Sequence, residues 1–122
     1  DVSQRGDLIL TGGFPGIFFD AAQTHFLCAE AAERGWANTP LGAEAHYNAA
    51  VTLSMQWWGL TDETAINDYL AQADVAYTTA PGDWKQKIGA QKWAALYMQG
   101  HEAWAEYRRL DAPTLNPCAE GA

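Results

Sequence analysis

The chain has 122 residues, with 7 Lys+Arg against 15 Asp+Glu and a formal charge of −8. That length supports one domain with one hydrophobic core, and 48% hydrophobic against 18% charged residues excludes a disordered chain. An acidic surface repels phosphate backbones and anionic lipid headgroups, so nucleic acid and anionic membrane surfaces are excluded as partners.

No run approaches the roughly 20 apolar residues of a spanning helix, and no basic segment followed by an apolar one marks a signal peptide. Two cysteines, Cys28 and Cys118, are too few for a disulfide scaffold or a zinc site. Cys28 sits among alanines and reads as a small hydrophobe; pairing with Cys118 is the alternative, open to an exported chain.

Residues 1–17 carry five helix-breaking residues, Gly6, Gly12, Gly13, Pro15 and Gly16, around Leu8-Ile9-Leu10, and read as a loop. A helix is expected over about 20–34, where Phe19, Ala22, Phe26, Ala29 and Ala32 share one face. Gly35 ends it, just after Arg34 at the negative end of the helix dipole. Pro40 and Gly42 mark a short connection to a second helix over about 43–58. Its inward stripe is Tyr47, Ala50, Val51, Ser54, Met55 and Trp58, and Gly59 ends it. The short connection predicts an antiparallel hairpin.

Thr61 reads as a capping hydroxyl for a third helix over about 62–77, burying Ile66, Tyr69, Leu70 and Ala73. Pro81-Gly82 breaks the chain. A long fourth helix is expected over about 84–109, with Asp83 and Gln86 in the places of a capping box. Its stripe would be Trp93, Tyr97, Gly100, Trp104 and Tyr107, with Ile88 and Leu96 alongside. A glycine inside that stripe costs about 1 kcal/mol, which a close helix–helix approach would explain. Pro113 and Pro117 close the ordered part, over about 110–122 an irregular tail, and no strand pattern appears. The expected fold is all-α.

Catalytic patterns fail one by one. His101-Glu102 opens like H-E-x-x-H, but Ala105 holds the second histidine position, so no metal grip results. His25, His46 and His101 fall on three separate helices and read as exposed or satisfied side chains. Ser54 lies mid-helix with no G-x-S-x-G around it, and the early glycines lack phosphate-loop spacing and its lysine. Glu102 and Glu106, with Arg108 and Arg109 just beyond, read as surface ion pairs. The expectation is a binding protein and not an enzyme, with no cofactor and no metal. Six Trp, five Tyr and four Phe are the salient feature, because planar rings stack on sugar faces. Trp58, Trp93 and Trp104 fall on inward stripes and read as core. Trp36, Trp57 and Trp84 flank the stripes and are the ligand-binding candidates.

The string Ile88-Gly-Ala-Gln91-Lys92-Trp93-Ala-Ala-Leu96, then Glu102-Ala-Trp104 and Tyr107-Arg108-Arg109 before Pro113, resembles the C-terminal signature of SusD/RagB-like proteins. Ala29-Glu30-Ala31-Ala32-Glu33-Arg34-Gly35-Trp36 resembles that family's alanine-rich helix, and Tyr47 to Gly59 its next one. The resemblance implies a helical fold with tetratricopeptide-like pairs, here the helices at about 20–34 and 43–58. It implies a non-catalytic, surface-exposed outer-membrane lipoprotein of Bacteroidetes-type bacteria. Such a protein binds a glycan or other nutrient and passes it to a TonB-dependent SusC-like transporter. Family members are several times longer, so this stretch corresponds to a C-terminal portion and the lipid anchor would lie outside it.

Within the motif, Gln91 and Trp93 are expected to fix their helix against its neighbours. Arg108 and Arg109 are expected to tie the helix end to Glu102, Glu106 or a carbonyl, so Arg109→Ala should mainly lower the melting temperature. Two further readings stay open: a small tetratricopeptide-like module for protein partners, and a scaffold without a ligand of its own. Some exposed apolar surface is expected, which a homodimer would cover.

Overall fold

The computed structural model of the protein describes residues 6–36 and 41–115. Among them it is all-α: α1 Asp7–Leu10, α2 Ala21–Glu33, α3 Ala43–Trp57, α4 Glu63–Leu70, α5 Trp84–Ala95 and α6 Gly100–Leu110. Cys118, Pro117 and Pro40 lie outside the described residues, and Cys28 is half-buried on α2.

α2 and α3 form the expected antiparallel hairpin and share the most extensive helix interface. Asp20 starts α2 by accepting from the Gln23 N–H at 2.8 Å. Both helices end alike. Gly35 and Gly59 take φ of 66° and 92°, which lets the glycine's own N–H and the next one bond back into the last turn. In α2 these bonds are Gly35 N–H to Ala32 and Trp36 N–H to Ala31; in α3 they are Gly59 to Gln56 and Leu60 to Met55. The sequence stop signals thus fix where Trp36 and Trp58 emerge.

Phe26, Ala29, Tyr47, Ala50, Val51, Ile88, Ala95, Leu110 and Ala112 form the core where α2, α3, α5 and the end of α6 meet. Phe19 and Ala73, expected inward, are exposed. The third helix stops at Leu70, well short of 77. Beyond it the β-branched Val75, Thr78 and Thr79 lower helix propensity, and side chains take carbonyls that a helix would need. Tyr47 Oη donates to the Val75 carbonyl at 2.7 Å, and Thr79 Oγ1 donates to that of Ala73 at 2.9 Å. Asp62, and not Thr61, caps α4, accepting from the Thr64 N–H.

The largest departure is the fourth helix, which is two. α5 ends at Ala95, Met98 takes φ of 71°, and α6 starts at Gly100 and folds back along α5. A Cβ at Gly100 would meet nothing within 4 Å, so Gly100 marks a helix start and no close approach. The close approach is at Gly89, where a Cβ would lie 2.5 Å from the Ala112 methyl. Breaking the helix also breaks the expected stripe. Ile88, Lys92 and Leu96 turn inward, while Tyr97 and Trp104 face solvent and Trp104 is 56% exposed. Gln86 does not complete a capping box; its amide donates to the Asp111 carbonyl and ties the start of α5 to the end of α6. Residues 7–10, expected as loop, form the single turn of α1.

Candidate functional site

The three tryptophans singled out from sequence occupy two opposite ends of the hairpin. Trp36 and Trp84 meet through Arg34, whose guanidinium lies 4.7 Å from one ring centroid and 4.9 Å from the other. Trp84 packs against the core, whereas Trp36 is 72% exposed. Trp57 is 44% exposed at the far end and borders a shallow groove with Asp20, Ala22, Leu53 and Gln56.

Beside Trp57 lies the cleft that sequence reasoning missed. Trp58, read as core, is only half-buried at the end of α3. A space of about 340 Å³ opens between α3, α4 and α5, lined by Ser54, Met55, Trp58, Tyr69, Gln91 and Ala94 among others. A second space of about 430 Å³ shares Trp58 and Ala94 and is bounded by Tyr97, Ile9 and Gly6. Volumes of roughly 300–1,000 Å³ are those of small-ligand sites. Tyr97 stands 5.5 Å from Trp58, tilted by 60°, and Phe14 stacks on Trp58 at 6.0 Å. The Tyr69 hydroxyl donates to Gln91 Oε1 at 3.1 Å, and the Gln91 amide N–H groups have no hydrogen-bond partner among the described residues. The clue in sequence was positional: Trp58 sits at a helix end, where a side chain projects past its own stripe.

At the opposite end the family-like motif residues build an ion network. Lys92, only 2% exposed, pairs with Glu106 at 2.8 Å. Arg109 bonds Glu106 at 2.6 Å and Glu30 through both terminal nitrogens at 2.5 and 2.6 Å. Glu30 also accepts from Arg34 at 2.8 Å. Burial by itself raises the Glu30 and Glu106 carboxyl pKa values, but the hydrogen bonds from Arg109, Arg34 and Lys92 outweigh it and hold both below the usual range. The Glu30 partner of Arg109 was absent from the sequence reading. Glu102 and Arg108, expected in such pairs, are exposed with no ion pair among the described residues. Gln91 joins α5 to α4 through Tyr69, and Trp93 meets Tyr107 of α6 edge-on. Trp104 stacks on the outer side of Tyr107.

Two of the three histidines read as exposed or satisfied on separate helices converge. His25 Nδ1 and His46 Nδ1 are 3.0 Å apart, and His46 Nε2 is buried without a partner. Donation from His46 Nδ1 leaves Nε2 as a bare lone pair; the reverse leaves a buried N–H without an acceptor, which costs more. The first tautomer is therefore assigned. Burial and the neighbouring His25 both push the His46 pKa down. Among the described residues, no group of three or more His, Cys, Asp or Glu side chains is placed to hold a metal ion. His101 is exposed.

The SusD-like_2 family model, described as "Starch-binding associating with outer membrane", matches residues 1–122. The chain belongs to the SusD-like family. A solved structure described as "Bacteroidetes AC2a SusD-like" superposes with a TM-score of 0.82 at 28% sequence identity. The match covers 94% of this chain and 23% of that one, so the chain spans about a quarter of that SusD-like structure. No curated protein sequence matches it. The SusD-like chain is all-α among its described residues, as that fold requires, and none of those helices is long and apolar enough to cross a membrane.

Proposed function

We propose that this SusD-like chain binds a glycan, without bond chemistry, in the cleft around Trp58, Tyr69 and Tyr97. The carrying observation is the cleft itself, where half-exposed rings and a free amide converge in one concave space. A sugar ring has apolar C–H faces and a rim of hydroxyls. Aromatic rings take the faces without a desolvation penalty, and the Gln91 amide and Ser54 hydroxyl supply partners for the rim. Trp36 and Trp57 remain accessible as secondary platforms, while Trp84 is committed to Arg34 and the core. In this reading the chain serves uptake at the outer face of the outer membrane, anchored through another part of the protein, and hands the glycan to a TonB-dependent SusC-like transporter.

Affinity gel electrophoresis through embedded polysaccharides tests this, with starch first and helicity verified by circular dichroism. Retardation should be lost in Tyr97→Ala and Trp58→Ala and kept in Trp36→Ala. Loss only in Trp36→Ala moves the site to the Arg34 end. A folded chain that no polysaccharide retards places the glycan site elsewhere in the protein. Retention by a protein partner alone then favours the interaction-module reading.

A further inference from the structure

Residues 6–17 are tied to the helices in an unusual way. Their hydrogen bonds stay within the segment: Ile9 N–H to the Gly6 carbonyl at 3.1 Å, Phe14 N–H to that of Thr11 at 3.2 Å, and Thr11 Oγ1 to that of Asp7 at 3.1 Å. Among the described residues none crosses to a helix of the body, and α1 packs against no other helix. The tie is aromatic. Phe14 stacks on Trp58, nearly parallel at 17°, and brings Gly6 and Ile9 over the far side of the cleft. At its other end the segment leads into Asp20, which the Gln23 N–H pins to α2. The second cleft space, about 430 Å³, owes one of its walls to this segment.

We propose that residues 6–17 form a strap that closes the outer half of the cleft over a glycan chain lying across Trp58. This rests on the glycan reading of the cleft. The inner space, bounded by α3, α4 and α5, exists without the strap; the outer one does not. A short sugar fits the inner space alone, whereas a longer chain passes Trp58 and meets Ile9 and Tyr97 on its two sides. With one ring pair and no hydrogen bonds to the body, the strap lifts to admit such a chain and settles again onto it.

The experiment compares maltose with maltoheptaose by titration calorimetry on the wild type, Phe14→Ala, Ile9→Ala and Tyr97→Ala. Hydrogen exchange is followed over residues 6–17. Both strap variants should weaken maltoheptaose by about three- to tenfold, the worth of one aromatic or aliphatic contact. They should leave maltose within about twofold, and maltoheptaose should slow exchange in the strap of the wild type. Equal weakening of both sugars means that Phe14 only shapes Trp58, and unchanged affinity for both means that the strap touches no ligand; either overturns the strap. Ile9→Ala guards against the first confusion because it leaves the Phe14–Trp58 stack in place. If neither sugar binds the folded wild type, the starch-type reading of the cleft itself falls, and the strap with it.

Discussion

The two ends of the α2–α3 hairpin are built on opposite principles. At the Arg34 end five charged side chains, from Lys92 to Arg34, form a continuous chain of ion pairs between α2, α5 and α6. At the Trp58 end the rings of Phe14, Trp58 and Tyr97 meet across open space, held by contact and few hydrogen bonds. Directional, charge-assisted bonds permit one geometry, whereas ring contacts permit many. The first end fixes where three helices sit, and the second is left able to accept something. Stability and recognition therefore rest on different side chains, even where they are neighbours on α5: Lys92 turns to Glu106 in the network and Gln91 lines the cleft.

That division is broken most sharply by Glu106→Ala. The substitution leaves the Lys92 ammonium buried without a carboxylate, a change that costs about 3–5 kcal/mol in a chemical-denaturation measurement. Arg109→Ala should cost less, about 1–2 kcal/mol, because its guanidinium is partly solvated and Glu30 keeps Arg34. The reverse order would mean that the network is organised around Arg109 and not around the buried lysine. An effect of similar size is expected at Gly89→Ala. A methyl there meets the Ala112 methyl and carbonyl, an overpacking loss that exceeds the gain in helix propensity by about 1–2 kcal/mol. Equal stability of the variant in thermal melts would show that the α6 end gives way easily.

How much of this was legible in the sequence depends on range. Most local signals were faithful: Asp83 caps its helix and Gly35 and Gly59 end theirs, while the cap read at Thr61 falls one residue on at Asp62 and Gln86 turns to Asp111. The hairpin followed from them. The break at residues 96–99 was not legible, because apolar and aromatic residues keep a helical spacing straight through it. It arises from long-range contacts: Gln99 accepts from Gln23 at 2.8 Å, and folding α6 back delivers Arg109 to Glu30. For the same reason Trp104 and Tyr97 were misplaced inward, and the cleft around Trp58 went unseen. Its walls come from four separate stretches of chain. The buried charges did leave a trace, since Lys92 lies one turn from Ile88 and Leu96 on the core side and so demanded a carboxylate.

The smallest expected effect lies between the two ends, at the His25–His46 contact, and depends on pH. His46 has a folded pKa below its ordinary 6.5, so the neutral form is the one the fold holds. Its contribution is therefore fully present above about pH 6.5 and is lost as pH falls from there toward the folded value. Glu30 and Glu106 behave alike on a lower scale: their contribution is present above about 4.5 and lost as pH falls through their lowered folded values. Acid unfolding should thus proceed in two stages, a shallow loss beginning near pH 6.5 and a steeper one below 4.5. The first stage belongs to His46, whose neutral form is favoured by burial first and by the neighbouring His25 second; Glu30 and Lys92, the buried charges of α2 and α5, are engaged with Arg109 and Glu106. Melting temperatures of His46→Leu between pH 7.5 and 5.5 should be flat where the wild type declines. A wild type equally flat over that range would mean that α2 and α3 part enough to let water reach His46 Nε2, and that the middle of the hairpin shares the looseness of its Trp58 end.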